Sequence, residues 1–134
     1  MILSCHSQAL HKLQGSCIPK MLGLGTMWSG DAFLAMSLVQ PGTKLTDVRL
    51  GPSLCTSAKD ALARVHAHGL VHGDVRLENM LVCQHKVVPH GGLVPSPVVI
   101  VDFGHARCGA SPRDLAAEME GLLRLLHEAS ERNK

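Results

Sequence analysis

Two short runs carry residues able to handle a phosphate. The first, Val71-His72-Gly73-Asp74-Val75-Arg76-Leu77-Glu78-Asn79, has the form H-G-D-x-x-x-x-N. The second puts Asp102-Phe103-Gly104 directly after the four β-branched residues Val98-Val99-Ile100-Val101. Phosphoryl transfer needs charge neutralised and an oxygen aimed in line, with little covalent help. A carboxylate at Asp74 can orient a hydroxyl or take its proton. Asn79 offers a neutral oxygen and Asp102 a carboxylate to one Mg²⁺, a cation that favours hard oxygen ligands and takes the rest from phosphate and water. Arg76 sets a cation where it can reach a transferred phosphate. At about 5% usage per residue, the first pattern arises by chance about once in a thousand chains of this length, and D-F-G about once in sixty. Their coincidence in this order outweighs the plain reading of turn residues and a loop carboxylate.

These residues need a scaffold, and the surrounding pattern implies an α+β one. Ser7 to Gln14 can form a short helix stopped by Gly15. Ile18 to Leu24 and Ala32 to Val39 are apolar runs parted by Gly25, Gly30 and Asp31, and are expected to form a small antiparallel unit. A helix follows in which Ser57 and Asp60 resemble a capping pair, Ala58, Ala61, Leu62 and Val65 share one face, and Gly69 follows the end. Asn79 to Val82 and Val98 to Val101 are expected to make a hairpin with a long tip rich in Gly and Pro. The last helix is capped by Ser111, with Pro112 first and Asp114 third. Its apolar stripe is Leu115, Met119, Leu122, Leu123 and Leu126, while Arg113, Glu120, Arg124 and His127 can face water.

Composition bounds the partners. With 134 residues, 46% of them apolar, the chain can bury a core as one domain. Thirteen Lys and Arg against eleven Asp and Glu do not announce nucleic acid or an anionic membrane. The five cysteines, Cys5, Cys17, Cys55, Cys83 and Cys108, are scattered without a C-x-x-C. They are read as reduced thiols, which together with the lack of a signal peptide or an apolar span points to the cytoplasm. His72 is expected to pack and hold the loop backbone. His66 and His68 fall near a helix end and complement its dipole, which explains them better than zinc does.

The two runs resemble the catalytic loop and the metal-binding loop of the protein-kinase-like superfamily. Gly73 stands where ordinary protein kinases carry Arg. His-Gly-Asp is similar to small atypical kinases of the RIO type and to aminoglycoside and choline phosphotransferases, while Asp102-Phe103-Gly104 is closer to protein kinases. A short kinase-like family of fungi and algae is similar too, through Leu13-Gln14-Gly15 and Ile18-Pro19. The resemblance implies a truncated kinase-like fold as one partial domain, with an N-lobe remnant and hinge over 1–42 and a minimal C-lobe over 43–134. It implies that Ala32 to Met36 leads to a nucleotide hinge, with Met36 as gatekeeper, Ser37, Leu38 and Val39 facing the adenine of ATP, and Gln40-Pro41-Gly42 leaving it. Asp74 then becomes the catalytic base with Arg76 beside it, and Asn79 and Asp102 the Mg²⁺ ligands.

The implied activity is ATP-dependent phosphotransfer, with protein Ser or Thr as default acceptor and small molecules open. The departures are a missing Gly-rich loop, a missing V-A-I-K-like lysine (Lys12 and Lys20 lie in other contexts) and a missing A-P-E. They leave two alternatives: a non-catalytic pseudokinase that binds a nucleotide or a partner, or a truncated kinase fragment.

Overall fold

The computed structural model describes residues 13–14, 17–19, 21–36, 42–82 and 97–132. Along them run strands β1 (Met21–Thr26), β2 (Ala32–Met36) and β3 (Thr43–Lys44), a 3-10 turn (Leu45–Asp47) and helix α1 (Pro52–His66). A second 3-10 turn (Leu77–Asn79), strands β4 (Met80–Val82) and β5 (Val98–Ile100) and helix α2 (Pro112–Arg132) complete the order. The expected helix over Ser7 to Gln14 lies mostly outside these residues.

Strands β1 and β2 pair antiparallel, Leu24 opposite Leu34 and Thr26 opposite Ala32. The antiparallel unit is therefore present, displaced so that Gly25 lies within a strand. Its turn closes through Met27 N to Asp31 O at 2.7 Å and Gly30 N to Met27 O at 2.8 Å. Gly30 adopts φ +95° there, a conformation that costs glycine little and other residues more.

The second sheet has the order β3-β4-β5. Met80 faces Ile100 and Val82 faces Val98, forming the expected hairpin. Strand β3 joins on the other edge, Lys44 opposite Leu81; two exposed residues carry no periodicity that could announce it. On the far side, Ile100 N donates to Cys17 O at 2.7 Å.

Helix α1 starts at Pro52, five residues before the expected Ser57, because a proline at the first turn has its φ preset and no donor to waste. Its Ala58, Ala61, Leu62 and Val65 are buried, as their spacing requires. The helix packs against β5 and α2. Full burial of Leu62 and Val65 contributes about 1.5–3 kcal/mol each, and Leu62→Ala should cost about 2–5 kcal/mol. Past the helix end, Gly69 takes φ +73° and its N–H donates to His66 O at 2.9 Å.

Helix α2 begins as the sequence implies. Asp114 N donates to Ser111 Oγ at 3.2 Å and Ser111 N to Asp114 Oδ2 at 3.4 Å, a reciprocal capping pair. Leu122, Leu126 and Ala129 are buried, whereas Leu123, placed in the expected stripe, is 43% exposed. The core face of α2 turns toward Ala129 instead, and Leu125 packs beside it. No helix among the described residues is long and apolar enough to cross a membrane. Cys17 and Cys55 are free, but Cys108 is disulfide-bonded. This corrects the expectation of five reduced thiols, since sequence spacing does not report which sulfurs meet in space.

Candidate active site

The loop from Val71 to Asn79 is held at both ends by backbone pairing. Val71 and Arg107 exchange hydrogen bonds at 3.1 and 3.0 Å, and Val101 N donates to Asn79 O at 2.9 Å. The first pair ties the loop to the segment after Asp102-Phe103-Gly104. The second sets Asn79 and Asp102 at the same end of the β4–β5 hairpin.

His72 stitches the loop from within. It is fully buried, and its Nε2 lies 2.8 Å from Val101 O. Its Nδ1 accepts from Asp74 N at 3.2 Å. A carbonyl can only accept, so Nε2 carries the proton and Nδ1 the lone pair. The ring also meets Phe103 edge to face, centroids 4.7 Å apart, which links the two motifs by an aromatic contact. His72 thus packs and holds backbone.

Asp74 and Arg76 form a two-point ion pair: Arg76 Nε to Asp74 Oδ1 at 3.1 Å and Nη2 to Oδ2 at 3.2 Å. Asn79 Nδ2 donates to Asp74 O at 2.9 Å and to Oδ2 at 3.2 Å. A carboxylate offers about four acceptor sites, so these contacts leave Oδ1 room for another donor. The Asp74 side chain retains 23% exposure through which one could arrive.

Asn79 is buried, and with Nδ2 turned to Asp74 its Oδ1 has no donor among the described residues. A buried oxygen left this way suits a hard cation. Asp102 is exposed and held at φ +63°, a left-handed conformation uncommon outside glycine and tolerated best by Asp and Asn. Its Oδ1 receives a 3.4 Å contact from Gly104 N, which leaves most of the carboxylate's capacity unused. An asparagine oxygen and one carboxylate fit Mg²⁺, which keeps water and phosphate for its other positions. No group of three or more His, Cys, Asp or Glu able to hold a metal occurs among the described residues.

Gly73 shows why no arginine stands there. Its φ is +86°, and a Cβ built on it would collide with the carbonyl oxygen of His105. The segment after Asp102-Phe103-Gly104 thus fills the space a side chain would need.

Sequence reasoning missed Glu118. From α2 its Oε1 accepts from His72 N at 2.9 Å and its Oε2 from Gly73 N at 2.8 Å. His66 Nε2, at the end of α1, lies 2.8 Å from Oε1. One carboxylate therefore ties α1, α2 and the loop together. Burial pushes the Glu118 carboxyl up, but the His66 hydrogen bond and the Gly73 and His72 amides outweigh it, and its pKa is lowered. The available signal is a glutamate directly before the stripe position Met119, where an exposed face is not assured.

Of the nucleotide-contact expectations, Met36 ends β2, with its side chain outside the described residues; Ser37, Leu38 and Val39 lie outside them too. Asp74, Arg76 and Asn79 are in mutual contact, and Asp102 stands beside them through the hairpin.

No protein-family model matches the chain. Over 92 residues, 62% of its length, it is 36% identical to the serine/threonine-protein kinase PkaB of Streptomyces coelicolor. Over 66 residues, 49% of its length, it is 35% identical to the EKC/KEOPS complex subunit BUD32 of Cryptococcus neoformans. These stretches amount to 21% and 22% of the relatives' own lengths, so the chain spans about a fifth of each. The likenesses are distant and partial, and they support the protein-kinase-like superfamily.

Proposed function

We propose that the chain is the catalytic piece of an ATP-dependent, Mg²⁺-requiring phosphotransferase of the protein-kinase-like superfamily, acting on a hydroxyl. Its residues 1–42 correspond in this reading to an N-lobe remnant and hinge, and 43–134 to a minimal C-lobe. The observation that carries the reading is the joined trio Asp74, Arg76 and Asn79, with an Asn79 Oδ1 that has no donor among the described residues and with Asp102 next in the chain to Val101, whose N–H donates to Asn79 O. The relative described as a serine/threonine-protein kinase supports an alcohol acceptor of the Ser/Thr type.

In this reading Asn79 Oδ1 and the Asp102 carboxylate hold Mg²⁺, which when bound with ATP supplies neutralisation of the phosphate charge. Asp74 Oδ1 orients the acceptor hydroxyl and takes its proton. Arg76 holds the Asp74 carboxylate in place through its two contacts, and its own side chain stays exposed. His72 and Glu118 fix the loop so that these groups are preorganised. Met36 and 37–39 would face the adenine.

The sequence has neither the Gly-rich loop nor the V-A-I-K-like lysine, and losing one preorganised donor typically costs about 10²–10³ in rate. Turnover by the chain alone is therefore expected to fall well below the roughly 1–100 s⁻¹ of ordinary kinases. The test is single-turnover ATP consumption by wild type, Asp74→Asn and Asn79→Ala, with Mg·ATP affinity measured alongside. Consumption that needs Asp74 supports the reading. Metal-dependent ATP binding with consumption indifferent to Asp74→Asn would leave a non-catalytic nucleotide-binding module in its place.

A further inference from the structure

A cleft of about 480 Å³ lies between the 3-10 turn Leu45–Asp47, the end of the catalytic loop and the C-terminal part of α2. That is a small-molecule volume. Leu45, Val48, Leu125 and Ala129 supply its apolar wall. Arg76 lines it as well, so its occupant touches the residue that holds Asp74. Two further charged side chains border the cleft, Glu78 and Arg132. Both are exposed, and neither has a hydrogen bond or ion pair among the described residues. The Arg76 charge is already matched by Asp74. The cleft therefore presents one uncommitted negative and one uncommitted positive group over an apolar floor.

We propose that this cleft receives the phosphoryl acceptor, and that the acceptor is a small hydroxylated zwitterion whose ammonium faces Glu78 and whose carboxylate faces Arg132. The inference rests on the phosphotransferase reading and gives it a substrate class. Charged groups recognised in this way bind through charge-assisted hydrogen bonds, stronger than neutral ones. A serine inside a peptide has neither terminal charge and would leave both side chains unanswered. In the transfer, the acceptor oxygen forms a bond to the γ-phosphorus of ATP and the bond from that phosphorus to the ADP oxygen breaks. The hydroxyl proton goes to Asp74, and ADP and a phosphomonoester leave.

The test uses product-like probes on the full chain by calorimetry: O-phospho-L-serine, with both charges; phosphocholine, with the cation alone; glycerol 3-phosphate, with neither; and N-acetyl-O-phosphoserine amide, the peptide-like form. O-phospho-L-serine is expected to bind at least about tenfold more tightly than each of the others, the scale of one charge-assisted contact. Glu78→Gln and Arg132→Gln, both at exposed positions, are each expected to remove about tenfold of that affinity and to leave glycerol 3-phosphate unaffected. Equal affinity for all four probes, a preference for the amide, or indifference to both substitutions would overturn the assignment. Mg·ATP affinity measured in parallel separates the two layers. If it is intact and depends on Asp102 while no zwitterion preference appears, the cleft assignment alone fails. If it is absent while the charge-dependent preference persists, the binding site is upheld and the phosphotransferase reading falls.

Discussion

Glu118 Oε2 lies 2.8 Å from the backbone nitrogen of Gly73, so a side chain from α2 holds the residue next to Asp74. Its other oxygen accepts from His72 N and faces His66. Glu118→Ala would strand two backbone donors in a partly buried site, at about 1–3 kcal/mol each. We expect a loss of about 3 kcal/mol in urea unfolding, and about half that for Glu118→Gln, which keeps one acceptor oxygen. A loss below about 1 kcal/mol for the alanine variant would show that water takes over the anchoring.

The same carboxylate sets a pH dependence. Its folded pKa is below the ordinary 4.5, so ionised Glu118 stabilises the fold at pH values above the unfolded value. That contribution is lost as pH falls from about 4.5 through the lower folded pKa. Unfolding free energy measured from about pH 6 downward should therefore fall less steeply in Glu118→Gln than in wild type. Parallel curves would remove Glu118 from the acid response.

Gly73 has a second constraint, its positive φ against the His105 carbonyl. Gly73→Ala adds left-handed strain of about 1–2 kcal/mol and forces the segment after Gly104 to move. We expect destabilisation of at least about 2 kcal/mol together with loss of Mg·ATP affinity, since the segment and Asp102 are continuous. An alanine variant with wild-type melting would contradict this placement of His105.

Asp102 is predicted to trade stability for function. Asp102→Gly should relieve its left-handed backbone and raise stability by about 0.5–1 kcal/mol, while metal-dependent ATP affinity disappears. Asp102→Ala should lose the affinity without the gain in stability. Retention of full Mg·ATP affinity by either variant would end the metal-ligand assignment, whereas unchanged affinity for metal-free ATP would not.

Ser111 caps α2 through Asp114 N. Ser111→Ala should cost about 1 kcal/mol and leave ATP consumption per folded molecule unchanged, because the hydroxyl is spent on the helix. Gly73 offers no side chain to a phosphate. Activation by a phosphate on Ser111 would contradict this assignment of its hydroxyl to the helix cap.

The features legible in the sequence are those written in neighbouring residues. Ser111, Pro112 and Asp114 start α2 within one turn of chain, and Ala58 to Val65 bury one face of α1 by period alone. Val98 to Ile100 is too β-branched and apolar to be anything but a buried strand. The start of α1 is harder to read, because Ser57-Asp60 imitates a cap inside a helix that Pro52 has already begun. Leu123 reads as inward because a stripe of leucines does not say which side its neighbours occupy.

By itself, then, the sequence determined that Asp74 and Asn79 share one loop and that Asp102 follows a buried strand, since residue spacing and β-propensity are local properties. It could not determine that Glu118, 45 positions beyond Gly73, anchors that loop, or that the His105 carbonyl forbids a side chain at Gly73. Nor could it show that Arg76 grips Asp74 while Glu78 and Arg132 have no ion pair among the described residues around a cleft. These depend on the packing of α1 against β5 and α2, and distance along the chain carries no information about distance across a packed core.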